Sequence, residues 1–259
     1  MKSIFKVLFL FITLALLFTQ CDKDDPINSV DIPDDAFLTA LIELGVDTNG
    51  DGIISPAEAE AITSLDVSGV GWEEGSISDM TGIEAFVNLN VLLCLANRLT
   101  SLDVSNNTLL NNLDCSHNQL TSLDVSNNTY LKYLWCHENQ LTTLDVSNNT
   151  ALEALFCSSN QITSLDLSNN TALGYLQCSW TQISSLNVSN NQTLIDLWCN
   201  DNPLTKLDVS NNTALTNLKI HSIPSLYEVC VWTLPFPPEG VYVYTSGSPN
   251  VYFTTECSK

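Results

Sequence analysis

Leu120-Thr121-Ser122-Leu123-Asp124-Val125-Ser126-Asn127-Asn128-Thr129 is the phrase on which the fold turns. It returns with few changes at Leu141, Ile162, Ile183 and Leu204, and it starts one period earlier at Leu99, each time 21 residues apart. A repeat of that length cannot bury its own apolar edge, so successive units must stack into a solenoid. Alternation puts Leu123 and Val125 on one side of a short strand and Ser122, Asp124 and Ser126 on the other. Leu113 and Cys115 alternate in the same way, which predicts two short strands per coil. Coils in parallel register lie about 4.8 Å apart, so each sequence position becomes a column. Two Asn columns follow: Asn97, Asn118, Asn139, Asn160 and Asn202 in one, and Asn107, Asn128, Asn149, Asn170, Asn191 and Asn212 in the other. Both are expected to satisfy backbone groups where the chain turns. Thr181 replaces Asn in one coil, and the spacing predicts local loosening there.

Each period nests two leucine-rich segments, Leu110-x-x-Leu113-x-Cys115-x-x-Asn118-x-Leu120 and Leu120-x-x-Leu123-x-Val125-x-x-Asn128-x-x-Leu131. Both resemble the leucine-rich repeat. The resemblance implies a leucine-rich-repeat solenoid of parallel β coils over residues 77–221. Ile83 to Phe86 with Leu89-x-x-Leu92-x-Cys94-x-x-Asn97 is similar to a more ordinary leucine-rich repeat and reads as a transition coil. After Ile223 the period fails. Pro235, Pro237 and Pro238, then alternating Val241 to Tyr244 and Val251 to Phe253, predict a small β-rich C-terminal cap at 222–259.

Upstream, Asp47-Thr-Asn-Gly-Asp-Gly-Ile-Ile-Ser-Pro-Ala-Glu58 matches the 12-residue EF-hand loop. Asp47, Asn49 and Asp51 offer side-chain oxygens, Ile53 its carbonyl, Ser55 a ligand through water, and Glu58 a closing bidentate carboxylate. Helical apolar spacing flanks the loop, giving an EF-hand-like cap at 32–64 and a connector at 65–76. One loop without a partner points to a structural Ca2+ site of extracellular affinity; an acidic turn without an ion is the alternative. Such a helical segment ahead of the repeats resembles the cap of internalin-type bacterial surface proteins.

Residues 1–20 start with Lys2 and Lys6 and continue as the apolar run Val7 to Phe18, too short for a membrane-spanning helix. Cys21 follows directly. Leu17-Phe18-Thr19-Gln20-Cys21 resembles a loose lipobox, and Cys21-Asp22-Lys23-Asp24-Asp25 resembles the export signal of Bacteroidota-type surface lipoproteins. The resemblance implies cleavage after residue 20, lipidation of Cys21, an acidic tether at 21–31, and an outer-membrane lipoprotein exposed at the cell surface. A secreted chain cut near residue 20 is the alternative.

Charge is one-sided, with 8 Lys and Arg against 29 Asp and Glu and a net −21. That excludes nucleic acid as a partner, since phosphate recognition needs a basic surface. The expected oligomeric state is a monomer. Cys94, Cys115, Cys136, Cys157, Cys178 and Cys199 fall on inward positions and predict a buried column of thiols, with bridging between in-register neighbours as the alternative that distance alone leaves open. Zinc is disfavoured because a line of sulfurs is not a tetrahedron. Cys230 and Cys257 lie outside the period in an exported chain and are expected to form a disulfide.

The two strands of each coil differ in how far their outward residues vary. One repeats Ser, Asp and Ser almost unchanged. The other carries Tyr133, Trp135 and His137, then Phe156, Tyr175 and Trp198, with Trp180 at its end. Inward slots being filled by Leu and Cys, these rings are expected to form an exposed ligand patch; the alternative is that they merely cover one another. Three functions remain open: a non-catalytic module binding an extracellular protein, a glycan-binding surface protein, and, least favoured, an enzyme. His117, His137 and His221 are the only histidines, and none lies in a nucleophile-elbow or metalloprotease motif.

Overall fold

A computed structural model describes residues 29–69 and 77–257. The leader, Cys21 and the first part of the tether lie outside the described residues. Among the described residues the elements are two α-helices, α1 (Asp35–Glu43) and α2 (Pro56–Ala61), a short 3-10 turn at Ile83–Ala85, and twelve three-residue strands. The strands are β1 (Ser64–Asp66), β2 (Val91–Leu93), β3 (Asn112–Asp114), β4 (Tyr133–Trp135), β5 (Ala154–Phe156) and β6 (Tyr175–Gln177). They continue as β7 (Asp196–Trp198), β8 (Lys206–Asp208), β9 (Asn217–Lys219), β10 (Glu228–Cys230), β11 (Tyr242–Tyr244) and β12 (Tyr252–Thr254). A nine-stranded parallel sheet runs β1-β2-β3-β4-β5-β6-β7-β9-β11 along one side, and β12-β10-β8 form a short parallel sheet on the other. This is a leucine-rich-repeat solenoid with in-register coils: Leu113 pairs with Leu134, Leu134 with Leu155, and Leu155 with Leu176.

Register makes the core a set of columns. Leu113, Leu134, Leu155, Leu176, Leu197 and Leu218 are 0% exposed, so truncating one to Ala costs about 2–5 kcal/mol. Cys94, Cys115, Cys136, Cys157, Cys178 and Cys199 are buried free thiols. Burial pushes Cys157 and Cys199 up to about 12, so these sulfurs pack as small apolar groups.

The Asn columns tie coil to coil. In the first, Asn139 donates from Nδ2 to Cys115 O of the preceding coil (3.0 Å) and to Cys136 O, while its Oδ1 accepts from Leu120 N (2.9 Å). Asn118 and Asn160 do the same. In the second, Asn149 donates to Val125 O and Asn128 O, again of the preceding coil. At Thr181 the expected loosening has a concrete form. Its hydroxyl lies 3.0 Å from Cys178 O and 2.6 Å from Asn202 Oδ1. The two bonds an Asn makes backward, here to Ile162 N and Cys157 O, are not formed.

The second expected strand of each coil is a correction. Along most of the solenoid it is reduced to the isolated bridges Asp103–Asp124 and Asn187–Asp208, and it becomes regular only at β8, β10 and β12. Side chains take over there. Asp124 Oδ1 captures Ser126 N and Asp145 Oδ1 captures Ser147 N, while Asn148 Nδ2 reaches Ser126 O of the coil before. Local side-chain bonds of this kind compete with a strand ladder.

Both expected ends of the repeat are also moved. The ladder begins where the cap meets the connector, because β1 pairs with β2, with Leu65 and the following Val67 buried. It continues beyond residue 221, since β11 pairs with β9 and β12 with β10. The C-terminal region is thus β-rich as expected, but it forms further rungs of the same solenoid. Val243 keeps the inward slot there, paired with Leu218, without the surrounding phrase. Cys230 and Cys257 are joined, with Cα atoms 5.4 Å apart.

Candidate functional site

Asp34 caps α1, accepting from Ala36 N and Phe37 N at 2.9 Å, and its other oxygen accepts from Ser78 N, Ser78 Oγ and Asp79 N. One carboxylate therefore starts the helix and fastens the cap to the first coil. Between the helices, the loop turns at Gly50 and Gly52, with φ of +74° and +86°, a region open to glycine at little cost. Asp47 accepts from Gly50 N through Oδ1 (2.8 Å) and from Gly52 N through Oδ2 (2.9 Å). Asn49 Oδ1 accepts from Asp51 N (2.8 Å), and Asn49 Nδ2 donates to Asp51 Oδ2. Glu58 accepts from Thr48 N and Oγ1 through one oxygen and from Ser55 N and Oγ through the other. Burial opposes ionisation of Glu58, but these donors outweigh it and lower its pKa to about 2.

The donor set is all hard oxygen, and the chemistry suits Ca2+. Asp47, Asn49, Asp51, Ser55 and the Ile53 carbonyl share one loop, closed by Glu58 in the capping box of α2. Asp47, Asp51 and Glu58 do not bring one oxygen each within 4.8 Å of one another; the loop's own donors hold them.

The aromatic residues lie on the long sheet, and only some of them meet. Tyr133 stacks against Trp135 with centroids 5.9 Å apart, and Trp135 meets Phe156 edge to face at the same distance. Tyr133 also donates its hydroxyl to Glu153 (2.9 Å), which holds Lys132 through its other oxygen. Trp198 is two coils beyond Phe156 in the same column, and Lys219 Nζ sits 3.2 Å from its ring centroid. Tyr175 and Trp180 are exposed and make no ring contact among the described residues. The expected single patch is thus a trio at β4 and β5, a covered Trp198, and two separate rings.

Trp180 belongs to a different column. It shares φ of +52° to +56° with Ala96, His117, Glu138, Ser159, Asp201 and Ser222, one per coil just past the strand. Each non-glycine residue in that region costs about 1–2 kcal/mol. Inter-coil bonds hold it, as in Ala96 N to Ser116 O and Trp180 N to Asn200 O. This turn lifts a second ridge beside the strand. Between the ridge and the strand column lies a furrow that the alternation of the sequence does not reveal. At its N-terminal end it widens to a cavity of about 840 Å³ bounded by Asp114, Trp135, Phe156, His117, His137 and Glu138. His117 and His137 meet edge to face at 5.1 Å, and His117 Nδ1 is 2.9 Å from Glu138 Oε2. Burial, opposed by Asp114, holds His137 below the usual imidazole range.

No protein-family model matches the chain. Over 76 residues it is 38% identical to Internalin J of Listeria monocytogenes serotype 4b, a stretch that is 29% of this chain and 8% of that protein. The structure of internalin C2 from the same species superposes over 86% of this chain and 94% of that one, with 20% identity and a TM-score of 0.67. A leucine-rich-repeat protein of Leptospira interrogans covers 76% of this chain and 55% of its own, with 20% identity and a TM-score of 0.57. These likenesses establish the repeat architecture.

Proposed function

We propose that the chain is a non-catalytic cell-surface lipoprotein whose strand face binds an extracellular macromolecule, with protein favoured over glycan. The observation that carries this reading is the contact trio Tyr133, Trp135 and Phe156, which register gathers on the outward side of β4 and β5. Rings that have inward slots beside them but sit on the wet side of a rigid sheet are the composition of interaction hot spots. The partial likeness to Internalin J and the fold likeness to internalin C2 support an interaction role. Glycan capture draws on the same rings and neighbouring Asp and Asn groups.

Pull-down of extracellular matrix protein and a glycan array, each run with the chain and with Trp135→Ala plus Trp198→Ala, test the reading. The paired variant is expected to lose the ligand while keeping its melting curve. Binding unchanged in that variant removes the aromatic face from the function. Retention by the glycan array alone makes the glycan the ligand.

Ca2+ held by Asp47, Asn49, Asp51, the Ile53 carbonyl, Ser55 and Glu58 is proposed as a brace for the cap that covers the first coil. EDTA is then expected to lower the melting temperature of the chain, and Asp47→Ala to abolish the difference; identical melting with and without Ca2+ defeats the proposal. Lipid anchoring at Cys21 is read by detergent phase partitioning, where Cys21→Ala moves the chain to the aqueous phase.

A further inference from the structure

Column positions on the strand face let one coil serve as a control for another. Trp198 of β7 is followed one coil later by Lys219 of β9, whose ammonium lies 3.2 Å from the Trp198 ring centroid. Trp135 of β4 occupies the same column, but the residue one coil later is Phe156, which meets it edge to face. The position that supplies a cation to Trp198 thus supplies a wall to Trp135.

What surrounds Trp135 is suited to a cation. The cavity beside it, about 840 Å³, has Asp114 and Glu138 in its lining and neither Lys nor Arg. Asp114 commits Oδ1 to Ser116 N and Oγ, and its Oδ2 has no hydrogen-bond partner among the described residues. His137 Nδ1 is buried and has no hydrogen-bond partner among the described residues. The chain as a whole carries −21, which draws basic partners to the face from a distance. Carboxylates beside an indole face form the environment that an ammonium or guanidinium selects.

We infer that the cavity framed by Asp114, Trp135, Glu138 and Phe156 receives a lysine or arginine side chain from the protein that this face binds. The inference rests on the protein-binding reading above and names the chemistry of its anchor.

The test uses the full chain in detergent and follows the Trp135 indole N–H resonance, assigned by its loss in Trp135→Phe. Nα-acetyl-lysine amide and Nα-acetyl-arginine amide are titrated, with the norleucine amide and methyl glucoside as uncharged probes. At least one cationic probe is expected to move the resonance saturably, and neither uncharged probe is. Asp114→Asn with Glu138→Gln, both isosteric, is expected to weaken that binding about tenfold. Phe156→Lys, which copies the Lys219 arrangement in cis, is expected to abolish it. No shift with either cation, an equal shift with norleucine, or unchanged affinity in the isosteric pair overturns the inference. If it falls while Trp135→Ala plus Trp198→Ala still loses the macromolecule, the face remains a binding face with another anchor. If the tryptophan pair binds normally, the parent reading falls instead.

Discussion

The two long sides of each coil hold the same backbone by opposite means. On the sheet side, Leu113 to Leu218 stack in register and main-chain bonds join neighbouring coils, so the outward side chains carry little of the joining. There the sequence runs through Asn112, Tyr133, Ala154, Tyr175 and Asp196 without harm to the fold. On the opposite side, Asn side chains do much of the joining while each Asp holds the Ser two residues on within its own coil, and these identities repeat almost without change. Variation collects where the main chain holds the coils together, and monotony where side chains do. A binding face is free to diversify only on the first kind of side.

The contrast predicts unequal responses to substitution. Asn149→Ala strips donors from Val125 O and Asn128 O, both inside the stack, and is expected to cost about 2–3 kcal/mol in urea unfolding. Tyr175→Ala, outward on the sheet side, should stay within about 0.5 kcal/mol. Equal losses would erase the distinction between the sides. Next in size is Thr181→Asn, which restores the missing bonds to Ile162 N and Cys157 O and should stabilise by about 1 kcal/mol; a neutral or destabilising result means that the Thr181–Asn202 contact already compensates.

The smallest effect is one of pH. Ser partners hold the Asp103, Asp124, Asp145 and Asp166 carboxyls below the ordinary value of 3.8. Their folded state therefore binds protons less readily than the unfolded chain. The stability they add is complete above the unfolded value and is lost as pH falls through the folded one. Melting temperature should drop on acidification below about pH 4, and the drop should shrink when these four are changed to Asn. A drop of the same size in that variant assigns the acid sensitivity elsewhere.

Period and register were legible because identical letters 21 residues apart name the inward columns directly. The terminal rungs were not. Around Leu65 the phrase survives as Thr63-Ser64-Leu65-Asp66-Val67-Ser68 but outside the 21-residue spacing, and around Val243 the Asn and Asp signals vanish; in both places main-chain pairing completes what the pattern omits. Which residues face outward was also legible, since alternation alone decides it. That Trp198 lies under Lys219 was readable in principle from the 21-residue column, yet alternation gives a direction and not a contact. The furrow was hidden altogether. His117, Glu138 and Trp180 adopt a positive φ that their side chains disfavour, held there by bonds from the next coil, so no local letter announces the ridge.

Between successive repeats the asparagine bonds reach back by the same few steps each time, 19, 21, 22 or 24 residues. Any in-frame duplication or loss of one whole phrase therefore leaves every remaining amide with a partner of the right kind, and both ends untouched. Length is accordingly the cheapest property for inheritance to change in this molecule, and unequal recombination between near-identical phrases can alter the reach of the face without first passing through a misfolded ancestor.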